Sequence, residues 1–353
     1  MEQIKKRDIA LDIMKGLGML FVIRDHSELI PLEYRHVTMS CMMPMFFVLA
    51  GYLYHRPDSN WLYVKKSFAR LYLPYLLGVA IFVVFLWWHN WTDVRTAGLM
   101  IVGCAGVPHF VCRYWCDWPS VGAFWFFPAL FWCRVVFNAI YTHCGKAKYY
   151  VLIATAIVGY LSLRYLIHLP FGISEGLAVM MFYLSGHLFS KYKSYMSTMS
   201  DDRRSRLNIL NEIALVLCLI CWVIAAKHSD IVVSAAYYKM FFFDFFGALG
   251  IIYVYYLACR YIATNLKILK SVLVWFGVGS LFLLWIHRTE LTLNFVNKLL
   301  GVVDWTAFNQ WAASAGMPEL YAYIHLLVQY AFCSVCLYAV SKVPPFKKFF
   351  GIA

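Results

Sequence analysis

Apolar residues do not alternate along this chain; they come in blocks of about twenty, the length a helix needs to cross a bilayer. Ten such windows are legible: 9–30, 36–54, 71–89, 121–140, 149–168, 172–190, 208–226, 235–259, 271–291 and 320–341. The run from Thr96 to Cys112 is also apolar, but shorter and broken by Gly103, Gly106 and Pro108, so it reads as an interfacial or re-entrant piece. Connections are short. The pattern predicts an all-α, polytopic integral membrane protein of about ten transmembrane helices, one domain over 1–353 with no separate soluble module.

Composition sharpens this. The chain is 62% hydrophobic and only 14% charged, against about 25% charged in soluble domains. Thirteen Trp and 25 Tyr suit aromatic belts at the two membrane interfaces. A β-barrel is excluded by the missing two-residue alternation, and no G-x-x-x-x-G-K phosphate loop is present. The basic start is followed by an apolar run that holds Asp8, Asp12 and Lys15, with no small-residue cleavage site, and so reads as a retained first helix. The C-x-x-C pairs Cys218/Cys221 and Cys333/Cys336 lie inside apolar spans with no polar ligand shell, and no metal site is expected. Cys112 and Cys116, in a connection, leave a disulfide open.

The net charge of +13 is distributed unevenly. With the N-terminus placed inside, 20 of the 31 Lys and Arg fall in inner segments and six in outer ones. Both termini are therefore expected in the cytoplasm, and the positive balance does not argue for nucleic acid.

Charged groups at membrane depth are costly and call for a reason. The first helix carries most of them. Lys15 and His26 are 11 residues apart in the sequence, three turns plus about 20°, so they share a face about 16 Å apart along the axis. Asp8, Asp12, Met19 and Val22 belong to the same stripe, which should face a protein cavity rather than lipid. Taken alone, Lys15 also fits a cation snorkelling to the inner interface, and His26 a buried hydrogen-bonded imidazole. The other ionisable positions sort by depth. Asp25, Glu175, Asp244, His287 and Glu290 lie in the outer half; Lys66, Arg70, His187 and Arg260 lie toward the inner rim. Interhelical ion pairs are the ordinary reading of each of these.

Several blocks carry a resemblance. Arg7-Asp8-Ile9-Ala10-Leu11-Asp12-Ile13-Met14-Lys15-Gly16, followed by His26, resembles the opening of the membrane acyltransferase-3 family. Met43-Pro44-Met45-Phe46-Phe47-Val48-Leu49-Ala50-Gly51-Tyr52-Leu53 resembles its second helix, and Lys65 to Pro74 its basic run ending in R-L-x-x-P. Phe124 to Phe131 and Gly279 to His287 are similar to later helices of the family, with Leu284 where a Tyr is usual. Asp25 stands where a Gly usually precedes the first-helix His, Ala50 replaces a Ser, and the F-H-M-P of the fucose O-acetylase-like branch reads Cys41-Met42-Met43-Pro44 here.

The resemblance implies an enzyme that moves an acyl group, usually acetyl, from acyl-coenzyme A to a hydroxyl of a surface glycan or lipid-linked sugar, in a bacterial inner membrane. Carried onto this chain, it makes His26 and Lys15 the functional pair; independently of the resemblance, Asp25 or an outer acid such as Glu290 is a candidate to orient the imidazole. Lys15, Arg70, Lys66 and Trp125 are then the donor-binding candidates. Glu175, Asp244, His287 and Glu290 are candidates for the acceptor side, and Asp12, Pro44 and Gly51 for structural motif positions. Acetyl-CoA enters from the cytoplasmic side; the sugar acceptor and the bilayer are the other partners, and a homo-oligomer stays open. The rival reading is a transporter or flippase of a lipid-linked glycan, which would favour inverted repeats; Pro44 and Pro74 have no counterparts in the second half.

Overall fold

The computed structural model describes residues 8–26, 32–106, 119–165, 168–229 and 231–352. Cys112 and Cys116 lie outside them. The chain folds as α1 (Ile9–Asp25), α2 (Leu32–Tyr52), α3 (Asn60–Ser67), a π-helical segment Phe68–Tyr72, α4 (Leu73–Trp88) and α5 (Val94–Gly103). A 3-10 turn, Gly122–Trp125, leads into α6 (Phe126–His143); then come α7 (Lys148–Tyr165), α8 (Ile173–Ala178), α9 (Met180–Met196) and α10 (Asp201–His228). The second half holds α11 (Phe241–Asn265), α12 (Lys267–Val278), α13 (Ser280–Leu293), α14 (Phe295–Leu300), α15 (Thr306–Ser314), α16 (Leu320–Ser341) and α17 (Pro344–Phe350). A two-residue antiparallel bridge, Ile231–Val232 with Tyr237–Tyr238, is the one departure from helix pairing among the described residues.

Over the described residues, each apolar window falls largely within a helix or a broken helix pair. Length and apolarity are a stricter test: among the described residues five helices pass it, and a sixth if the α12–α13 pair, bent by 73°, is one span. Helix α1, 17 residues long with Asp12, Lys15, Arg24 and Asp25 on it, is not among the five. The 294–319 segment, which carries no apolar window, forms the short helices α14 and α15.

Helix α1 is central, packed against α2, α11, α12, α13 and α16. Asp8 starts it, its carboxylate accepting the Ala10 N–H at 3.1 Å. Two glycine pairs set the closest crossings. A Cβ at Gly16 would strike the Leu273 carbonyl and one at Gly277 the Asp12 carbonyl, so α1 and α12 touch backbone to backbone. Gly51 against Tyr183, with Gly186 against Val48, does the same for α2 and α9. Small residues at such crossings let dispersion act where lipid offers no hydrophobic drive between helices. Helix α10 sits at the periphery on α11; only 6% of its apolar window is buried, so its face is left for lipid.

Candidate active site

The Lys15 face of α1 opens onto a cavity of about 410 Å³, here called proximal because it adjoins the N-terminal half of that helix. Lys15, Met19 and Val22 line it, as the 100° spacing of that stripe predicts. Helix α2 adds Met43, Phe46 and Ala50, with Leu53 just past its end; α6 adds Phe126, Leu130 and Arg134, and α13 adds Ser280, Leu281 and Leu284. Three cations border it. Lys15 pairs with Asp12 at 2.7 Å. Arg134 donates from Nε to the Tyr63 hydroxyl at 3.3 Å and lies over that ring. Arg70 reaches the cavity from the π-helical segment, its guanidinium against Gly351 of the returning C-terminal tail. Among the described residues, neither Arg70 nor Arg134 has a carboxylate partner.

A second, distal cavity of about 730 Å³ lies beyond the C-terminal end of α1. His26 borders it, with His89, Arg288, Glu290, Asn297, Lys298, His325 and Gln329 among the polar groups and Phe85 and Trp91 among the aromatic ones. Glu290 is tethered: Oε1 accepts the Val296 N–H at 3.1 Å and Oε2 the Gln329 amide at 3.4 Å. His325 Nε2 and Asn297 Oδ1 are 2.5 Å apart.

The partition between the cavities is one helical turn thick on both α1 and α13. Val22 faces the proximal cavity and His26 the distal one; Leu284 faces the proximal and Arg288 the distal. His26 caps α1, and its Nδ1 lies 2.7 Å from the Val22 carbonyl. A carbonyl oxygen only accepts, so in that bond Nδ1 carries the proton and Nε2 is the basic nitrogen. His287 stands inside the partition, fully buried, its ring edge-to-face with that of His26 at a centroid distance of 5.5 Å. Neither ring nitrogen of His287 has a hydrogen-bond partner among the described residues.

The other sequence candidates fall in several places. Asp25 is held by its neighbours: Oδ1 accepts from Arg24 at 2.7 Å and Oδ2 from the Thr38 hydroxyl at 2.7 Å. Lys66 is exposed on α3. Trp125 is buried against Phe47, centroids 6.1 Å apart, and it is its neighbour Phe126 that lines the proximal cavity. Glu175 is fully buried 3.5 Å from His168 Nε2, and that nitrogen lies 3.0 Å from the Gly103 carbonyl. Asp244 accepts the Ser229 hydroxyl at 2.8 Å and the Met240 N–H at 2.9 Å at the start of α11. Neither Glu175 nor Asp244 borders either cavity. Asp12 holds Lys15, Pro44 lies inside α2, and Gly51 makes the α2–α9 crossing. His187 is enclosed by Tyr54, Phe137 and Tyr141.

Sequence reasoning missed Arg134, Tyr63 and Phe350 in the proximal wall and Asn297 and Gln329 in the distal one. Arg134 alone left a signal, a charge inside an apolar window. The family model described as an acyltransferase domain, acyltransferase-3, matches residues 8–317. That match covers most of the chain and does not single out a branch. No curated protein and no solved structure matches the chain.

Proposed function

This chain belongs to the acyltransferase-3 family, and we propose that it carries an acyl group from acyl-coenzyme A in the proximal cavity to a sugar hydroxyl in the distal cavity, with His26 as general base. One observation carries the reading: a single stripe of α1 lines one cavity at Lys15, Met19 and Val22 and reaches the other at His26. From Lys15 to His26 is about 16 Å of helix, a span comparable to an extended pantetheine arm. Arg70 and Arg134, cations with no carboxylate of their own among the described residues, suit the donor's phosphates; guanidinium binds phosphate bidentately. Arg134 thereby joins Lys15 and Arg70 as a donor contact. Glu290, the amides of Asn297 and Gln329, and the faces of Phe85 and Trp91 suit a polyhydroxylated ring.

In the transfer, the acceptor hydroxyl gives its proton to His26 Nε2 as its oxygen bonds to the thioester carbonyl carbon. The carbon–sulfur bond then breaks, the sulfur takes the proton back, and the free thiol and the O-acyl ester leave on opposite sides of the partition. His287 borders His26 and restricts its ring. We propose further that about ten helices cross the membrane with both termini cytoplasmic, which puts the proximal cavity on the donor's side. The transporter reading loses ground to the family membership.

The test uses purified protein in nanodiscs, with acetyl-CoA binding measured by calorimetry and thiol release by absorbance. His26→Ala should keep donor affinity and lose about 10²–10⁴-fold in thiol release. Lys15→Ala should weaken donor binding, with Lys15→Arg milder. Full turnover in a stable His26→Ala protein, or no acetyl-CoA binding by the wild type, would overturn the proposal.

A further inference from the structure

A third cavity lies on the other side of the α1–α2 pair from the proximal one. It is a groove of about 180 Å³ between α1, α2, α9 and α11, with Met14, Leu49, Leu249 and Ile252 in its walls. Leu49 also borders the proximal cavity, so one side chain separates the two. Little in the groove can bind a polar solute. The Ser185 hydroxyl is spent on the Met181 carbonyl at 2.8 Å, and the remaining side-chain polar atoms are tyrosine hydroxyls.

Polarity appears at one end. The hydroxyls of Tyr52 and Tyr256 both accept from Lys193 Nζ, at 3.1 and 2.9 Å. On the same ring of Tyr256 lies the Arg260 guanidinium, 5.9 Å from the centroid. Asp8 approaches Lys193 at 3.6 Å and offsets one of these charges. Arg260 is exposed and has no carboxylate partner among the described residues, so the rim keeps a net positive charge. From Leu249 to Tyr256 the groove follows α11 for about 10 Å. An apolar slot with a cationic, hydroxyl-bearing rim matches a single amphiphile: an acyl chain in the slot and an anionic group at its end.

We propose that this groove holds one acyl chain of an anionic phospholipid from the bilayer, with the lipid phosphate at Lys193 and Arg260. The lipid then braces α1 and α2 from behind the Leu49 partition. The site is distinct from both cavities assigned above and stands without the acyl-transfer reading, since it needs only a membrane around the chain.

Delipidated protein is reconstituted into nanodiscs of phosphatidylcholine with phosphatidylglycerol, and the lipids retained after release are counted by native mass spectrometry. Wild type should retain phosphatidylglycerol preferentially. Lys193→Gln and Arg260→Gln should each lower that preference about fivefold, the effect of one basic side chain near an anionic headgroup. Lys193→Arg should keep it. Leu249→Trp, which fills the slot and leaves the rim intact, should lower retention of both lipids, with folding checked by an unchanged elution profile. A Lys193→Gln/Arg260→Gln protein that retains phosphatidylglycerol like wild type overturns the proposal. So does a Leu249→Trp protein with undiminished retention, because the rim would then be a bare phosphate site.

Discussion

Gly277→Ala is the sharpest test of how α1 is held. The perturbation is one methyl group on α12, aimed at the Asp12 carbonyl of α1. A carbon needs about 3.3 Å from a carbonyl oxygen, and the two backbones leave far less, so α1 must retreat. Backbone cannot rotate aside as a side chain can. Overpacking of this kind costs about 1–3 kcal/mol, while replacing a helical Gly by Ala returns about 1 kcal/mol of propensity. The net is a loss of about 1 kcal/mol, and α1 loosens. Gly98→Ala is the matched control: on α5 nothing lies within 4 Å of the added Cβ, so it should gain the propensity alone. Lys15 sits between Asp12 and Gly16 on the helix that moves, and a misplacement near 1 Å can cost about 10²-fold in a positioned reaction. The assay compares unfolding midpoints and acetyl-CoA affinity of both variants in one nanodisc preparation. If Gly277→Ala is as stable as Gly98→Ala and binds donor like wild type, the backbone contact between α1 and α12 does not position Lys15.

Arg134→Gln should weaken donor binding about tenfold, with an effect that shrinks as salt rises; an affinity equal to wild type at low salt would remove Arg134 from the donor site. Tyr54→Phe removes the hydroxyl that donates to Asn138 Oδ1 at 2.8 Å and should cost about 1–3 kcal/mol, because that buried amide oxygen loses its partner. An unchanged unfolding midpoint would contradict it. Asp93 caps α5 by accepting the Thr96 N–H, which holds its carboxyl below the usual range. The cap is therefore complete above the unfolded carboxyl value, near 3.8, and is lost as pH falls through the lower folded one. Hydrogen exchange in the first turn of α5, corrected for intrinsic rate, should rise only in acid; a rise already at neutral pH would mean the cap is absent.

The stripe of α1 was legible because helical spacing alone puts Lys15, Met19 and Val22 on one face, and those three line one cavity. The apolar windows were legible for the same reason, since each needs only local pattern. What stayed hidden depends on contacts between distant segments. The 73° bend at Gly279 aims α13, and with it Leu284 and Arg288, at the two cavities. Phe350 returns from the C-terminal end to pack on Phe282 at 4.9 Å. Asp25 neighbours His26 in sequence, yet Thr38 and Arg24 take both its oxygens. No spacing rule reports such competition. Lys66 and Arg70 look equivalent in one basic run, but of the two only Arg70 borders the proximal cavity.

That last difference gives meaning to a proline. In an α-helix the N–H four residues after Arg70 would bond to its carbonyl, and that residue is Pro74, which has no N–H to give. The helix widens over Phe68–Tyr72 instead, and the Leu73 N–H reaches back five residues to Phe68. The R-L-x-x-P run is thus an instruction about register: the proline withdraws a donor, the turn takes in an extra residue, and the arginine comes to the cavity side. Restoring the donor with Pro74→Ala would let the segment tighten and turn Arg70 by about a residue's rotation, near 100°, so a motif that reads as chemistry is half geometry.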